Sequence, residues 1–217
     1  MKKILVIGAS GYVGSRLIPV LLEEGFSIQA VGRSLSKLRE RPWARHPQVE
    51  LTAADMLERA SLDKIGQGCS IAYYLVHSLN SKTSFSEADR WAAENMVYTA
   101  QGGGIDRIIY LGGLGELESH LSEHLQSRQE VGQILHAGGV PVTTLQAAMI
   151  LGRGSVSFEI LRHLVESLPV VITPSSVDTE SQPIAISNVL GYLTGCLKSE
   201  QTAGQTFDIG GSDIFTY

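Results

Sequence analysis

The sequence predicts an α/β fold, a doubly wound and mainly parallel sheet with helices on both faces. Three observations predict it. Short apolar runs alternate along the chain with longer stretches of helical spacing. The runs are nearly continuous in their apolar character, Lys3–Ile7 (KILVI) being the first, as expected of strands buried on both faces. That first run leads through closely spaced glycines into an amphipathic stretch, the strand–turn–helix unit from which parallel sheets are built.

Each element follows from local pattern. Strand one ends at Gly8, and a helix is predicted over Gly11–Glu24, with Val13, Leu17, Val20 and Leu21 at helical spacing and Gly25 as its stop. Strands are predicted at Ile28–Val31, Val49–Ala53 and Ile71–Val76. Ser84–Gln101 reads as a helix that stops at Gly102-Gly103-Gly104. Arg107–Leu111 is a fifth strand, Leu121–His136 a helix closed by Gly138-Gly139, and Val142–Gln146 a sixth strand. Val156–Ser167 and Ile186–Lys198 have helical spacing, and Thr206–Ile209 is a last strand. Trp91, Met96 and the other apolar helix residues are assigned to the core. No repeat, linker or low-complexity segment divides residues 1–217, so a single domain is expected. A strand followed by Gly-Gly-Ser-Asp leads into a further element, so the chain is expected to continue beyond Tyr217.

Composition narrows the function classes. With 43% hydrophobic and 18% charged residues, the chain has the balance of a globular protein rather than a disordered one. A net charge of −5 argues against general affinity for nucleic acid, although a local basic patch still binds phosphate. Cys69 and Cys196 fit no metal or redox spacing and read as reduced thiols. No apolar run reaches the ~20 residues of a membrane span. The apolar run after Met1-Lys2-Lys3 is broken too early, at Gly8, Ser10, Gly11 and Gly14, to be a signal peptide. A cytoplasmic protein without a membrane or nucleic-acid partner is expected, with room for a protein partner and an undetermined oligomeric state.

The stretch GASGYVG carries the most chemistry. Gly8, Gly11 and Gly14 stand three apart, between a strand and a helix. One glycine makes the tight turn, one lets backbone approach a pyrophosphate, and one lets the helix pack on the strand. Amides at the helix N-terminus then face the anion. Gly8, Ser10, Gly11, Tyr12, Val13 and Gly14 are therefore candidate dinucleotide contacts. NAD sites carry an acid about 20 residues beyond this loop, to hold the ribose 2′-hydroxyl. Here no Asp or Glu lies between Glu24 and Glu40. Arg33, Ser34 and Lys37 take that position instead, and guanidinium donors match a 2′-phosphate, so NADP(H) is favoured over NAD(H). Arg39, Arg41 and Arg45 read as a solvated basic face. Asp55, after strand three, is placed either to accept from the adenine amino group or to cap a helix. Met56, Leu75, Val76 and His77 lie at strand C-terminal ends, where open parallel sheets bind ligands. Met149 and Ile150 are expected to wall the nicotinamide.

ILVIGASGYVGSRLIPVLLEEG, VGRS, Asp55-Met56 and RIIYLGG together resemble the short-chain dehydrogenase/reductases. The likeness is strongest to their atypical branch, the NmrA-like and isoflavone-reductase-like proteins described as nucleoside-sugar-epimerase-like. PVTTLQAAMILGRGS, QPIAISNVLGYL and GQTFDIGG resemble that branch's later, substrate-side segments. The resemblance implies a Rossmann-type domain with small C-terminal substrate-side elements, a nicotinamide dinucleotide, and a small-molecule substrate. It also implies a Ser at the end of strand five and a Tyr-x-x-x-Lys pair on the next helix. This sequence departs at all three positions. Gly112 and Gly113 follow strand five, His124 stands at the Tyr position and Arg128 at the Lys position.

HLSEHLQSR, His120 to Arg128, thus has three readings: a zinc site through His120 and His124, an altered catalytic pair of His124 and Arg128, or a solvated helix face. Zinc requires a third protein ligand and an open cleft, and no metal is expected. In the altered pair, His124 donates a proton as imidazolium and Arg128, which cannot relay one, holds ribose hydroxyls. Three functions follow. One is an NADPH-dependent reductase of a small carbonyl or quinone-like substrate. Another is a non-catalytic NADP(H) sensor or assembly protein. A third, from the resemblance, is a sugar-nucleotide epimerase or dehydratase.

Overall fold

The structure, a computed structural model, describes residues 2–76, 85–114, 123–155, 158–159, 162–163, 166 and 180–216. Its strands are β1 (Lys3–Ile7), β2 (Ser27–Gly32), β3 (Val49–Ala53), β4 (Cys69–Tyr74), β5 (Arg107–Gly113), β6 (Val142–Ala147), β7 (Ile150–Leu151), β8 (Glu180–Ser181), β9 (Ile184–Ala185), β10 (Thr206–Ile209) and β11 (Phe215–Thr216). Seven of them form one sheet in the order β10-β6-β5-β4-β1-β2-β3, every pairing parallel. The doubly wound sheet predicted from the sequence is therefore present. β7 pairs with β9 and β11 with β8 as two small satellites.

Successive side chains of a strand point to opposite faces, and β1 divides accordingly. Ile4 and Val6 join one apolar core with Leu17, Ile18 and Leu21 of α1 (Gly14–Glu23), Leu38 of α2 (Leu35–Arg39), and Val189 and Leu193 near the chain's end. Leu5 and Ile7 join a second core with Ala92, Ala93 and Met96 of α3 (Phe85–Gly103) and Val131 and Leu135 of α4 (Glu123–Ala137). Val189 and Leu193 belong to α5 (Ile186–Lys198), so α1, α2 and α5 cover one face and α3 and α4 the other.

Several boundaries shift for local reasons. α1 begins at Gly14 rather than Gly11, because residues 11–13 are spent in the turn. It ends as predicted: Gly25 at φ +84° lets its own N–H reach Leu22 O (2.9 Å) and that of Phe26 reach Leu21 O (3.1 Å). α2 was not predicted, since Leu38 is its only buried residue. β4 stops at Tyr74, leaving Leu75 and Val76 in the connection. Trp91 is 54% exposed, which corrects its assignment to the core, whereas Met96 is fully buried. α3 turns its alanines inward, Ala88, Ala92 and Ala100 among them, and this permits close approach to the sheet and to α4. The helix expected over 156–167 falls mostly outside the described residues, and among these no helix is long and apolar enough to cross a membrane.

The chain order makes the site. After β3 at one edge, the chain crosses back over β1 to form β4 on its other side. The C-terminal ends of β1 and β4 therefore flank the point where winding reverses, and the connections leaving them diverge to opposite faces. In open parallel sheets that crevice is where ligands bind.

Candidate functional site

The glycine turn is fixed from both flanking strands. Gly8 and Ala9 donate their N–H groups to Val31 O of β2 (3.1 and 3.0 Å), and Leu75 donates to Ile7 O (3.1 Å). Gly8 has φ +86°, and a Cβ there would stand 2.7 Å from Leu75 O. A Cβ on Gly14 would stand 2.4 Å from Gly8 O, so helix start and turn touch backbone to backbone. Gly11 is exposed at the apex. Gly8 thus makes the tight turn and Gly14 lets the helix start pack on it.

Behind the turn, α1 has an open N-terminus. Its N-cap Val13 makes no side-chain cap, and the first turn contains no acid. The amides of Tyr12 and Val13 donate to no backbone carbonyl among the described residues. Unpaired N–H groups at the positive end of a helix dipole suit an anion, and no carboxylate of the helix competes for them. The residues present thus fit a pyrophosphate.

At the tip of β2, Arg33 and Lys37 are exposed. Ser34 caps α2, accepting from Lys37 N–H at 3.3 Å and lying 2.8 Å from Ser36 Oγ, so its hydroxyl is engaged. Arg39 and Arg45 are exposed, as expected of a solvated face, but Arg41 is not. Its Nη2 donates to Ser10 O at 2.5 Å, and its Nε is buried without a partner. The cause is the turn that follows: Pro42–Arg45 form a 3₁₀ helix, Trp43 is 6% exposed, and its indole N–H donates to Ser15 O at 3.0 Å. The segment after α2 is bolted to both sides of the glycine turn. Sequence reasoning missed Arg41, whose only signal was an aromatic anchor two residues on.

Asp55 Oδ1 accepts from Leu57 N–H at 3.0 Å, a local turn of the capping kind. Met56 is buried, and its carbonyl accepts from Asn95 Nδ2 at 2.7 Å. Leu75 is the wall behind Gly8, and Val76 is half-buried beside it. His77 lies outside the described residues. Tyr12 carries the guanidinium of Arg16 over its ring, 4.0 Å from the centroid. Arg16 also donates to Tyr12 O (3.0 Å) and to Arg153 O (2.8 Å). The buried Tyr12 hydroxyl has no partner, and a Cβ on Gly152 would stand 2.6 Å from it. The phosphate turn is thus tied to the segment that follows Met149 and Ile150.

The altered pair is only half visible. His124 lies in α4, but its side chain, like all of His120, lies outside the described residues. Arg128 is half-buried, and burial lowers its pKa against the opposing influence of Tyr110 and Asp89. The Tyr110 hydroxyl donates to Arg128 O at 3.3 Å, and burial pushes its pKa well up. Asp89 and Ser127 are buried together, Ser127 Oγ donating to Asp89 Oδ2 at 2.8 Å. A Cβ on Gly112 would stand 3.0 Å from the Tyr110 ring, so that ring takes the space a side chain at Gly112 would need. No pattern in the sequence marks Tyr110 and Asp89 as neighbours of Arg128. Among the described residues, no group of three or more His, Cys, Asp or Glu could hold a metal.

Known proteins share this fold. The chain is 30% identical over 89 residues to aldehyde reductase 2 of Sporidiobolus salmonicolor, a match covering 39% of this chain and 26%, about a quarter, of that relative. Yeast methylglyoxal/isovaleraldehyde reductase, solved with NADPH, superposes with a TM-score of 0.82 at 14% identity, over 99% of this chain and 79% of that one. UDP-glucuronic acid 4-epimerase from Bacillus cereus, solved with NAD, gives 0.81 at 17% identity, over 99% and 79%. These two likenesses share the fold of reductases and epimerases alike. The family is decided by the sequence itself: the model of the NmrA-like family matches residues 1–166, and the chain belongs to that family.

Proposed function

We propose that the chain binds NADP(H) across the glycine turn and acts as a reductase of a small carbonyl or quinone-like substrate. The observation that carries the reading is the open N-terminus of α1 behind Gly8, Gly11 and Gly14, with Arg33 rather than an acid at the tip of β2. Tyr12 and Val13 amides hold the pyrophosphate, Arg33 and Lys37 the 2′-phosphate, and Asp55 the adenine edge. Arg128 binds the nicotinamide ribose. A bound nicotinamide supplies the hydride. His124 or water supplies the proton, and a quinone-like acceptor tolerates so weak an acid because its oxygens protonate readily from solvent. A positioned general acid is worth about 10²–10⁴-fold, so turnover without a Tyr is slow but retained through proximity.

Calorimetric titration with NADPH and NADH tests the cofactor half. NADPH is expected to bind more tightly, and Arg33→Ala to cost NADPH about tenfold to a hundredfold, the worth of charge-assisted hydrogen bonds, with little loss for NADH. Equal losses refute the assignment of Arg33. A panel of carbonyls and quinones, read by NADPH oxidation, tests the chemical half, and no substrate above blank sinks it.

One observation favours a second reading. Gly112 and Gly113 close β5 where the family carries a Ser. A protein that binds NADP(H) without turnover, and alters a surface for a protein partner, needs no hydroxyl there. NADPH oxidation that collapses on His124→Ala excludes this sensor reading.

A further inference from the structure

We propose that Arg41, with the Ser10 hydroxyl, reads a phosphate monoester in the dinucleotide cleft, the 2′-phosphate of the adenosine ribose, and so sets cofactor choice. The proposal rests on the reading of the glycine turn as a dinucleotide site. A guanidinium carries five donor hydrogens in a fixed fork. In Arg41 Nη2 is committed to Ser10 O, while Nε is shielded from solvent and has no partner. The ion pairs among the described residues join other cations, so no carboxylate neutralises Arg41. A half-buried charge with a spare donor is costly unless an acceptor comes to it.

Arg41 is also held in place. Its own N–H donates to Leu38 O at 3.1 Å, Pro42 follows, and Trp43 is anchored on Ser15 O. The fork therefore waits in position rather than being recruited from solution, which lowers the entropy cost of binding. Its surroundings define the ligand. Ser10 Oγ would stand 3.3 Å from a Cβ on Gly32, so the serine hydroxyl lies at the tip of β2, where Arg33 emerges. The turn thus has two anion-facing sides. The amides of Tyr12 and Val13, at the start of α1, suit a diphosphate. Ser10, Arg33 and Arg41, on the β2 side, suit a compact dianion. One dinucleotide carries both groups when its ribose is phosphorylated.

The experiment compares 2′,5′-ADP with 5′-AMP, which differs from it only in lacking the 2′-phosphate, by calorimetry on the full chain, in wild type, Arg33→Ala, Arg41→Met and Arg41→Lys. Arg41→Met is expected to weaken 2′,5′-ADP about tenfold or more while leaving 5′-AMP within about twofold, because only the former carries a 2′-monoester for the guanidinium fork. Arg41→Lys keeps the charge and loses the fork, so it is expected to lose about threefold for 2′,5′-ADP alone; it stands in should Arg41→Met fail to fold. Equal losses for both ligands show that Arg41 only props the turn, and overturn the proposal. So does an unchanged preference. If Arg33→Ala abolishes the preference and neither Arg41 variant moves it, this proposal fails and the cofactor reading stands. If wild type does not distinguish the two ligands, both fail.

Discussion

Gly8 and Gly25 allow the cost of the phosphate turn to be measured by difference. Both have left-handed backbone, at φ +86° and +84°. They differ in what a side chain would meet. A Cβ on Gly25 finds nothing within 4 Å, whereas one on Gly8 comes 2.7 Å from Leu75 O and 2.9 Å from Leu75 C. Alanine at either position pays the left-handed penalty of about 1–2 kcal/mol. Only Gly8→Ala also forces backbone against backbone, and overpacking costs a further ~1–3 kcal/mol. Gly25→Ala should therefore lose about 1–2 kcal/mol and Gly8→Ala about 2–5 kcal/mol, the latter still within the ~5–15 kcal/mol of a typical domain. Urea unfolding of the two variants and wild type, compared at common m-value, reads the difference directly. NADPH titration of the same samples should show binding lost in Gly8→Ala and unchanged in Gly25→Ala, since only the former displaces the turn. Equal destabilisation of the two variants would falsify the claim that the Leu75 backbone, rather than φ alone, demands glycine at position 8.

Two further predictions concern the core under the site. Gln29, buried in β2, accepts from Gly66 N–H at 2.9 Å and reaches Thr52 Oγ1 and Lys64 O, each at 3.3 Å. Gln29→Leu strands a buried amide and should cost about 1–3 kcal/mol in urea unfolding; a neutral result would mean the loop at Gly66 finds another acceptor. Burial pushes the Cys69 thiol up from 9.0 to about 11. A raised folded value means that the folded protein keeps the proton. Stability is then full below pH 9 and declines as pH rises from 9 to 11, by about 1.4 kcal/mol per unit. Cys69→Ala should reduce that slope but not abolish it, because burial also raises the Cys196 thiol above 9.0. The comparison is cleanest between pH 9 and 10, below the range where the buried tyrosines Tyr73, Tyr74 and Tyr110 begin to contribute. An unchanged slope would assign the alkaline loss elsewhere.

The sheet was legible because its signal is local. Ile4, Leu5, Val6 and Ile7 are an unbroken apolar run within five residues, and the glycine turn follows at once. α2 was not, because one apolar residue in five sets no period, and its stability comes from the Ser34 cap and from Leu38 against the core. Trp91 was misread because apolar helix residues were assigned to the core by default. α3 packs through small residues, which puts the largest side chain of the helix outside. Arg41 illustrates the larger gap. Its partner Ser10 lies 31 residues away, and nothing in a run of arginines says which one turns inward. That choice is made by Trp43, through a contact with Ser15 that exists only once α1 and β2 are packed.

The same reasoning bears on the departures from the family's catalytic residues, which are not three separate losses. Tyr110 points from β5 toward α4, and its ring takes the space above which a side chain at Gly112 would stand. A Cβ at Gly112 would stand 3.0 Å from the Tyr110 ring, so a serine there needs that ring to give by a few tenths of an ångström. That tyrosine in turn donates to the backbone carbonyl of Arg128 in α4. A lysine there would face a buried phenol and the Asp89–Ser127 pair. Desolvation would push a buried lysine toward its neutral form, while an arginine remains charged. The set Tyr110, Gly112 and Arg128 is thus self-consistent as packing and electrostatics. If His124 and Arg128 act as proposed, the site holds a dinucleotide better than it moves a proton, and protonation falls to His124 or solvent.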